Sequence, residues 1–331
     1  MNPSPSAIIK ICVFIVLGII FGAGMIVYSE SRSHNQGKNL SDSDWTFNDG
    51  NDHTKHVERT LTVNPGGTLM LESDLGNVEV DTWDKNEVLV IADATGSENN
   101  IERLDIAITQ ENNNVKVTGR YAESGWMGWH SQNIDVTYKI TVPKKYFVRA
   151  QSSGGNMAVR NLDGNATLET SGGNVEAESI NGTVDLRTSG GNVTASRVEG
   201  NVQLTTSGGE IRCSDIAGEV NSHTSGGDVE MTNVNGKIST ETSGGSIHIS
   251  MAGDNKGVYA HSSGGDIRIS AKETIKAMLD ASTSGGRVRC ELPITVKGDM
   301  DESQLRGAIN GGGEVIRAET SGGDVRIVAL K

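Results

Sequence analysis

Residues 183–200 read T-V-D-L-R-T-S-G-G-N-V-T-A-S-R-V-E-G, and this frame recurs down the chain. Val184 and Leu186 alternate with polar residues before Ser189-Gly190-Gly191, and Val193 and Ala195 alternate after it. Alternation at period two marks a strand with one buried face. Ser-Gly-Gly closes one side of the unit and Glu199-Gly200 the other; the matching second turns are Asp163-Gly164, Asn181-Gly182, Ala217-Gly218 and Asn235-Gly236. Each unit is strand, turn, strand, turn.

Nine copies of Ser-Gly-Gly begin at Ser153, Ser171, Ser189, Ser207, Ser225, Ser243, Ser263, Ser284 and Ser321, at intervals of 18, 18, 18, 18, 18, 20, 21 and 37 residues. A short fixed period is the signature of a solenoid. The turn glycines are Gly154-Gly155, Gly172-Gly173, Gly190-Gly191, Gly208-Gly209, Gly226-Gly227, Gly244-Gly245, Gly264-Gly265, Gly285-Gly286 and Gly322-Gly323. Their expected role is positive φ in a tight turn.

Aligned on the serine, three columns are wholly apolar. Five residues before it stand Val148, Ala166, Val184, Val202, Val220, Ile238, Val258, Leu279 and Ile316. Four after it stand Met157, Val175, Val193, Ile211, Val229, Ile247, Ile267, Val288 and Val325. Six after it stand Val159, Ala177, Ala195, Cys213, Met231, Ile249, Ile269, Cys290 and Ile327. A hairpin meander shares the alternation but does not require identical turns in register, whereas parallel stacking does. No single coil can bury its own apolar face, so neighbours must stack. The expected fold is all-β, a parallel β-solenoid of 18-residue two-strand coils; at strand spacing, nine coils make a rod roughly 40 Å long. A thin Val, Ile, Leu and Ala core suits the 4% aromatic content.

Residues 148–331 form the regular solenoid, and 57–147 read as an irregular β region that caps it, with a separate β-sandwich as the alternative. Asp74-Leu75-Gly76-Asn77-Val78-Glu79-Val80 mirrors Ser171-Gly172-Gly173-Asn174-Val175-Glu176-Ala177, and Trp83 falls where Ile180 falls. Residues 292–315, with Pro293 and Gly311-Gly312-Gly313, form an excursion before the last coil.

Residues 7–28 are an apolar run whose one charge is Lys10. A run of this length can span a bilayer as a helix. Lys10 precedes the apolar centre and favours an inside N-terminus, which leaves 1–6 as a short cytoplasmic end. The alternative is a cleaved signal peptide; no A-x-A site is evident, and no lipobox precedes Cys12. Either way the solenoid lies on the extracytoplasmic side, here of the cytoplasmic membrane, with polar residues 29–56 as a tether. Cys213 and Cys290 share an inward column four coils apart, about 19 Å at strand spacing, too far for a disulfide. A net charge of −13 without a basic stripe argues against nucleic acid.

The S-G-G-[N/D]-[V/I] turns, the G-N-V-E-V-D-T-W segment at 76–83 and Val142-Pro143-Lys144 before the first regular coil carry a resemblance. Over roughly 61–331 the chain resembles the bacterial putative-adhesin family of β-strand repeat proteins, a domain of unknown function. The resemblance implies an extracytoplasmic β-solenoid of the cell envelope, often membrane-anchored, and some relatives are connected with envelope-stress signalling.

Chemistry is sparse in the outward positions. A calcium β-roll needs G-G-x-G-x-D, whereas Gly-Gly here precedes Asn156, Asn174, Asn192, Glu210, Asp228, Ser246, Asp266, Arg287 and Asp324 without the further glycine. Asn side chains bonding along the stack or within the turn are expected instead. One outward column places Glu241 between His223 and His261, with Tyr259 in the next column. These four are candidate ligand residues; the histidines, about 10 Å apart, are too wide for one zinc, and a solvated His–Glu ladder is the plainer reading. Polysaccharide cleavage needs clustered carboxylates, and the outward acids are scattered. Trp126 and Trp129, in Gly125-Trp126-Met127-Gly128-Trp129-His130, are either a contact surface or a lid on the open core. The expected function is a non-catalytic, membrane-anchored envelope scaffold or adhesin-like binding protein. It needs no cofactor and no metal, and its partners are envelope proteins or glycans. A carbohydrate-active β-helix and a component of an envelope-stress system are the alternatives.

Overall fold

The computed structural model describes residues 27–28, 52–122, 134–251, 253–296 and 301–330. Trp126, Trp129 and the expected membrane span, apart from Val27 and Tyr28, lie outside these residues. Val27–Tyr28 is a short strand antiparallel to His53–Thr62, and the latter begins within the expected tether. Among the described residues no helix is long and apolar enough to cross a membrane; the helix Glu98–Arg103 has six residues.

Two 14-stranded sheets face each other across the core. One holds the strands that follow each Ser-Gly-Gly, the other those that precede it. In the first, Met157, Val175, Val193, Ile211, Val229, Ile247 and Ile267 are successive parallel partners. In the second the series is Val148, Ala166, Val184, Val202, Val220, Ile238 and Val258. The expected parallel stacking and its register are thus those of the structure.

A further buried column breaks the alternation. Leu162, Ile180, Val198, Ile216 and Val234 are all buried, three residues rather than two after the inward residue before them. The residue preceding each, Asn161, Ser179, Arg197, Asp215 and Asn233, is left-handed, with φ from +53° to +60°. Such a residue, of the kind found in bulges, turns the strand and reverses its facing. Five non-glycine residues stack in this costly conformation, and they form one edge of the rod.

The residue before each serine supplies a buried hydroxyl ladder. Thr188, Thr206, Thr224 and Thr242 are buried. Each donates to the carbonyl of the second turn glycine one coil back: Thr188 to Gly173 at 2.8 Å, Thr206 to Gly191 at 2.8 Å, Thr224 to Gly209 at 2.9 Å and Thr242 to Gly227 at 2.9 Å. Each hydroxyl also accepts from a glycine N–H of its own turn. Outside this ladder Asn156, Asn174 and Asn192 side chains accept from the backbone N–H one coil on, at 2.8–2.9 Å, as expected for an asparagine ladder.

The role expected for the glycines is corrected. Of those in Ser-Gly-Gly, Gly155 alone has a left-handed φ. Close approach is the operative constraint, and it falls on the second glycine. A Cβ on Gly173, Gly191, Gly209, Gly227 or Gly245 would lie 1.9–2.1 Å from the carbonyl oxygen of the equivalent glycine one coil back. On Gly190 or Gly208 its nearest neighbour would be 3.5 or 3.6 Å away.

The coil order at the C-terminal end also departs from the expectation. Val325 pairs with Ile267 on one side and Val288 on the other, and Ile316 pairs with Val258 and Leu279. The last coil in sequence, Val315–Ala329, is therefore inserted between coils 258–271 and 277–290. The chain lays down 277–290 one coil-width beyond its predecessor. It then extends that sheet outward with antiparallel Gln304–Ile309 and Ile294–Val296, and returns through Gly311-Gly312-Gly313 to fill the gap. The other end is built alike: coil 68–83 lies between coil 147–160 and the strands Asn114–Tyr121 and Ile134–Pro143. One consequence is that Cys213 and Cys290 are five strand intervals apart rather than four, about 24 Å. Cys213 is buried as expected, but Cys290, on the terminal strand of its sheet, is half-buried.

The N-terminal end of the core is closed by cations. Arg59 is buried and donates to the Ile108 carbonyl, and Lys55 Nζ donates to Leu104 O at 2.5 Å. Both acceptors lie on Leu104–Glu111, the edge strand of the opposite sheet. Inward charge near the end of a sheet blunts edge-to-edge association.

Candidate functional site

Stacking brings His223, Glu241 and His261 onto adjacent strands in one outward row. The inserted coil adds Glu319 beside His261 and Arg317 beside Tyr259, neighbours that sequential stacking does not supply. His223 Nδ1 lies 3.8 Å from Glu241 Oε2, with both side chains about half exposed. An ion pair of this kind contributes little. Burial raises the Tyr259 phenol, with Glu241 and Glu319 adding to the shift and Arg317 opposing it. The row alternates acid and base over four strands. Among the described residues no group of three or more His, Cys, Asp and Glu is placed to hold a metal.

The left-handed edge forms a groove of about 500 Å³ that runs along the rod over three coils. Asn161, Ser179 and Arg197 line one side, Asp163, Asn181 and Glu199 the other, and Lys144 and Lys145 its end. Internal contacts fix several of these groups. Asn181 Nδ2 donates to Asp163 Oδ1 at 3.0 Å, Arg197 Nε to Ser179 Oγ at 3.1 Å, and Arg197 also pairs with Glu178. Sequence reading missed the groove because it followed strict alternation. The available signal was the change of step between Ala177 and Ile180, repeated every 18 residues.

Several outward carboxylates are held by arginines. Asp185 pairs with Arg187 at 2.9 Å, Asp280 with Arg306 at 2.8 Å and Arg317 at 3.2 Å, and Asp324 with Arg326 at 2.6 Å. Asp301 is pushed below the usual carboxylate range by the Ser303 backbone N–H. Asp324 is pushed down by the Arg287 N–H and then by Arg326. A general acid needs the opposite shift.

Several solved structures are similar over most of the chain. A putative cell adhesion protein from Clostridium sporogenes is 12% identical and aligns over 83% of this chain and 100% of its own, with a TM-score of 0.24. A putative adhesin from Bacteroides fragilis is 16% identical over 83% and 97%, with a TM-score of 0.34. A putative lipid binding protein from Parabacteroides distasonis is 16% identical over 86% and 98%, with a TM-score of 0.35. No curated protein matches. The family model described as Toastrack DUF4097 matches residues 46–328. On that match and its two-sheet stack of Ser-Gly-Gly coils, the chain belongs to the Toastrack DUF4097 family.

Proposed function

We propose that the protein is a non-catalytic binding rod of the cell envelope. Residues 7–28 anchor it in the membrane, and the solenoid faces the extracytoplasmic side. Envelope proteins or glycans are its partners, and the edge groove is the main contact surface. The groove carries this reading. It is open, runs along the rod, and offers donors on Arg197, Asn181 and Lys145 beside acceptors on Asp163 and Glu199. A linear polar chain presents both kinds of group along its edges. The arginine-held carboxylates support binding over hydrolysis.

The test is a glycan array and an envelope-extract pull-down with the full-length protein. An Asn181→Ala, Arg197→Ala variant is run beside a Trp126→Ala, Trp129→Ala variant. Loss of the captured partner in the groove variant, with an unchanged melting temperature, supports the assignment. Full retention by the groove variant, or release of sugar products from any bound glycan, overturns it. Membrane fractionation with and without 7–28 tests the anchor; a mature N-terminus after Tyr28 would show cleavage instead.

A further inference from the structure

On the outer face of the sheet that follows the turns, four basic side chains stand on four adjacent strands. The register is His248, Arg268, Arg326, Arg289, a span of about 14 Å at strand spacing. Like charges placed opposite one another across strands are destabilising. An arginine in such a column can be neutralised by the acid two residues before it, as Arg187 is by Asp185 and, within this row, Arg326 by Asp324. Here that device fails on both sides of Arg326. Asp266 turns its carboxylate to Arg326, at 3.9 Å, and the position two before Arg289 is Arg287, which pairs with Glu302 at 3.3 Å. Arg268 and Arg289 are exposed and hold no salt bridge among the described residues, Arg289 acting on Asp324 only at longer range.

The His248–Arg268 end of the row is also part of one wall of a groove. Glu230, His248 and Arg268 face Thr232, Ser250 and Ser270 across a volume of about 270 Å³. The site thus combines two guanidinium groups that hold no salt bridge, Arg268 and Arg289, with a line of hydroxyl donors beside its Arg268 end, which together suit carboxylate or sulfate groups. Asp266 and Asp324 border the row along the turns, and Glu230 stands at its inner end. A broad anionic plane such as a lipid surface would meet those acids, whereas a single narrow chain along the row avoids them. Strand-like nucleic acid is disfavoured because its binding surfaces stack bases on aromatic rings, and these columns hold no Phe, Tyr or Trp.

We infer that the Arg268–Arg326–Arg289 row, with Ser250 and Ser270, is a binding site for a linear acidic polysaccharide. The site is separate from the edge groove and does not depend on it. The probe is polygalacturonate at low salt, titrated against the full-length protein, with neutral dextran, poly(dT) and phosphatidylglycerol vesicles as comparisons. Arg268→Gln with Arg289→Gln should weaken polygalacturonate binding by about tenfold or more, as two charge-assisted hydrogen bonds are lost. It should also flatten the salt dependence. Arg187→Gln on the opposite face should change neither, and Arg268→Lys with Arg289→Lys, which keeps the charge, should bind better than the Gln pair. Both arginines are exposed, so melting temperatures should match. Equal binding by the Gln pair and Arg187→Gln, no binding of polygalacturonate by the native protein, or arginine-dependent preference for poly(dT) or vesicles would each overturn the assignment.

Discussion

Replacing Gly209 by alanine should damage the rod, and replacing Gly208 should not. A Cβ on Gly209 would lie 1.9 Å from Gly191 O, 2.4 Å from Gly191 C and 2.8 Å from Asn192 N, all backbone of the preceding coil. Relief requires the two coils to part by more than about 1 Å, since carbon–oxygen contacts settle at about 3.3 Å or more. The bonds at that turn would stretch with them: Thr206 Oγ1 to Gly191 O at 2.8 Å and the Glu210 N–H to Asn192 Oδ1 at 2.9 Å. Thr206 is 1% exposed, so water cannot replace its partner. Two lost hydrogen bonds, one leaving a buried hydroxyl unsatisfied, together with local overpacking give about 3–5 kcal/mol. At Gly208 the nearest atoms are 3.6 Å away. Alanine there should stay within about 1 kcal/mol of the native protein, with a small gain from a less flexible unfolded chain. Urea unfolding of the two variants against the native protein measures the difference. Equal midpoints would refute the close-approach argument, and a larger loss at Gly208 would restore the expectation of a left-handed turn there.

Other outcomes follow from the same geometry. Thr206→Val should cost about 1–3 kcal/mol, because it orphans Gly191 O and the Gly209 N–H, while Thr206→Ser should retain most of the stability; denaturation midpoints read both. In a Cys12→Ser background, a thiol reagent should label Cys290 in the native state and Cys213 only on unfolding, since burial pushes the Cys213 thiol up to about 12; equal native rates would contradict the inserted coil order. His56 is raised above its ordinary 6.5 by its hydrogen bond to Asp93, at 2.6 Å, against partial burial. Its contribution is therefore full below the unfolded pKa and lost as pH rises through the folded one. His56→Gln should destabilise at about pH 5.5 by under about 1 kcal/mol, after allowance for solvent screening, and have less effect at about pH 8.5. An NMR titration midpoint for His56 at or below 6.5 would remove the basis for that difference.

Several features were legible without coordinates because they repeat. Val175, Val193 and Ile211 occupy one column because each coil has the same length, so period alone set their register. His223, Glu241 and His261 became neighbours by the same count. Features that break the alternation within a coil, or depend on the neighbouring coil, were not read. The left-handed residues at Asn161, Ser179 and Arg197 reverse the facing of a strand, and with it hide Ile180 from an alternation count. The buried threonines read as polar turn residues because burial of a hydroxyl depends on a carbonyl one coil away. Ser-Gly-Gly marked the turn, but only the packed stack showed that its second glycine is fixed by a neighbouring backbone and its first is not.

Coil order was beyond the sequence for a related reason. Every coil presents nearly the same inward columns and the same turn, so 258–271 can stack as well on 315–329 as on 277–290. Chain connectivity favours the nearest coil in sequence, but loop closure costs little more for a long connection than for a short one. The excursion through Ile294–Val296 and Gln304–Ile309 adds antiparallel pairing beyond Ala277–Thr283, and the glycines at 311–313 allow the return. The amino-acid pattern by itself determined the two-strand coil, its 18-residue period, its inside and its outside. The tertiary structure decided which coils touch, and so placed Arg326 between Arg268 and Arg289 and Glu319 beside His261, because interchangeable coils leave their order to the packing of the ends.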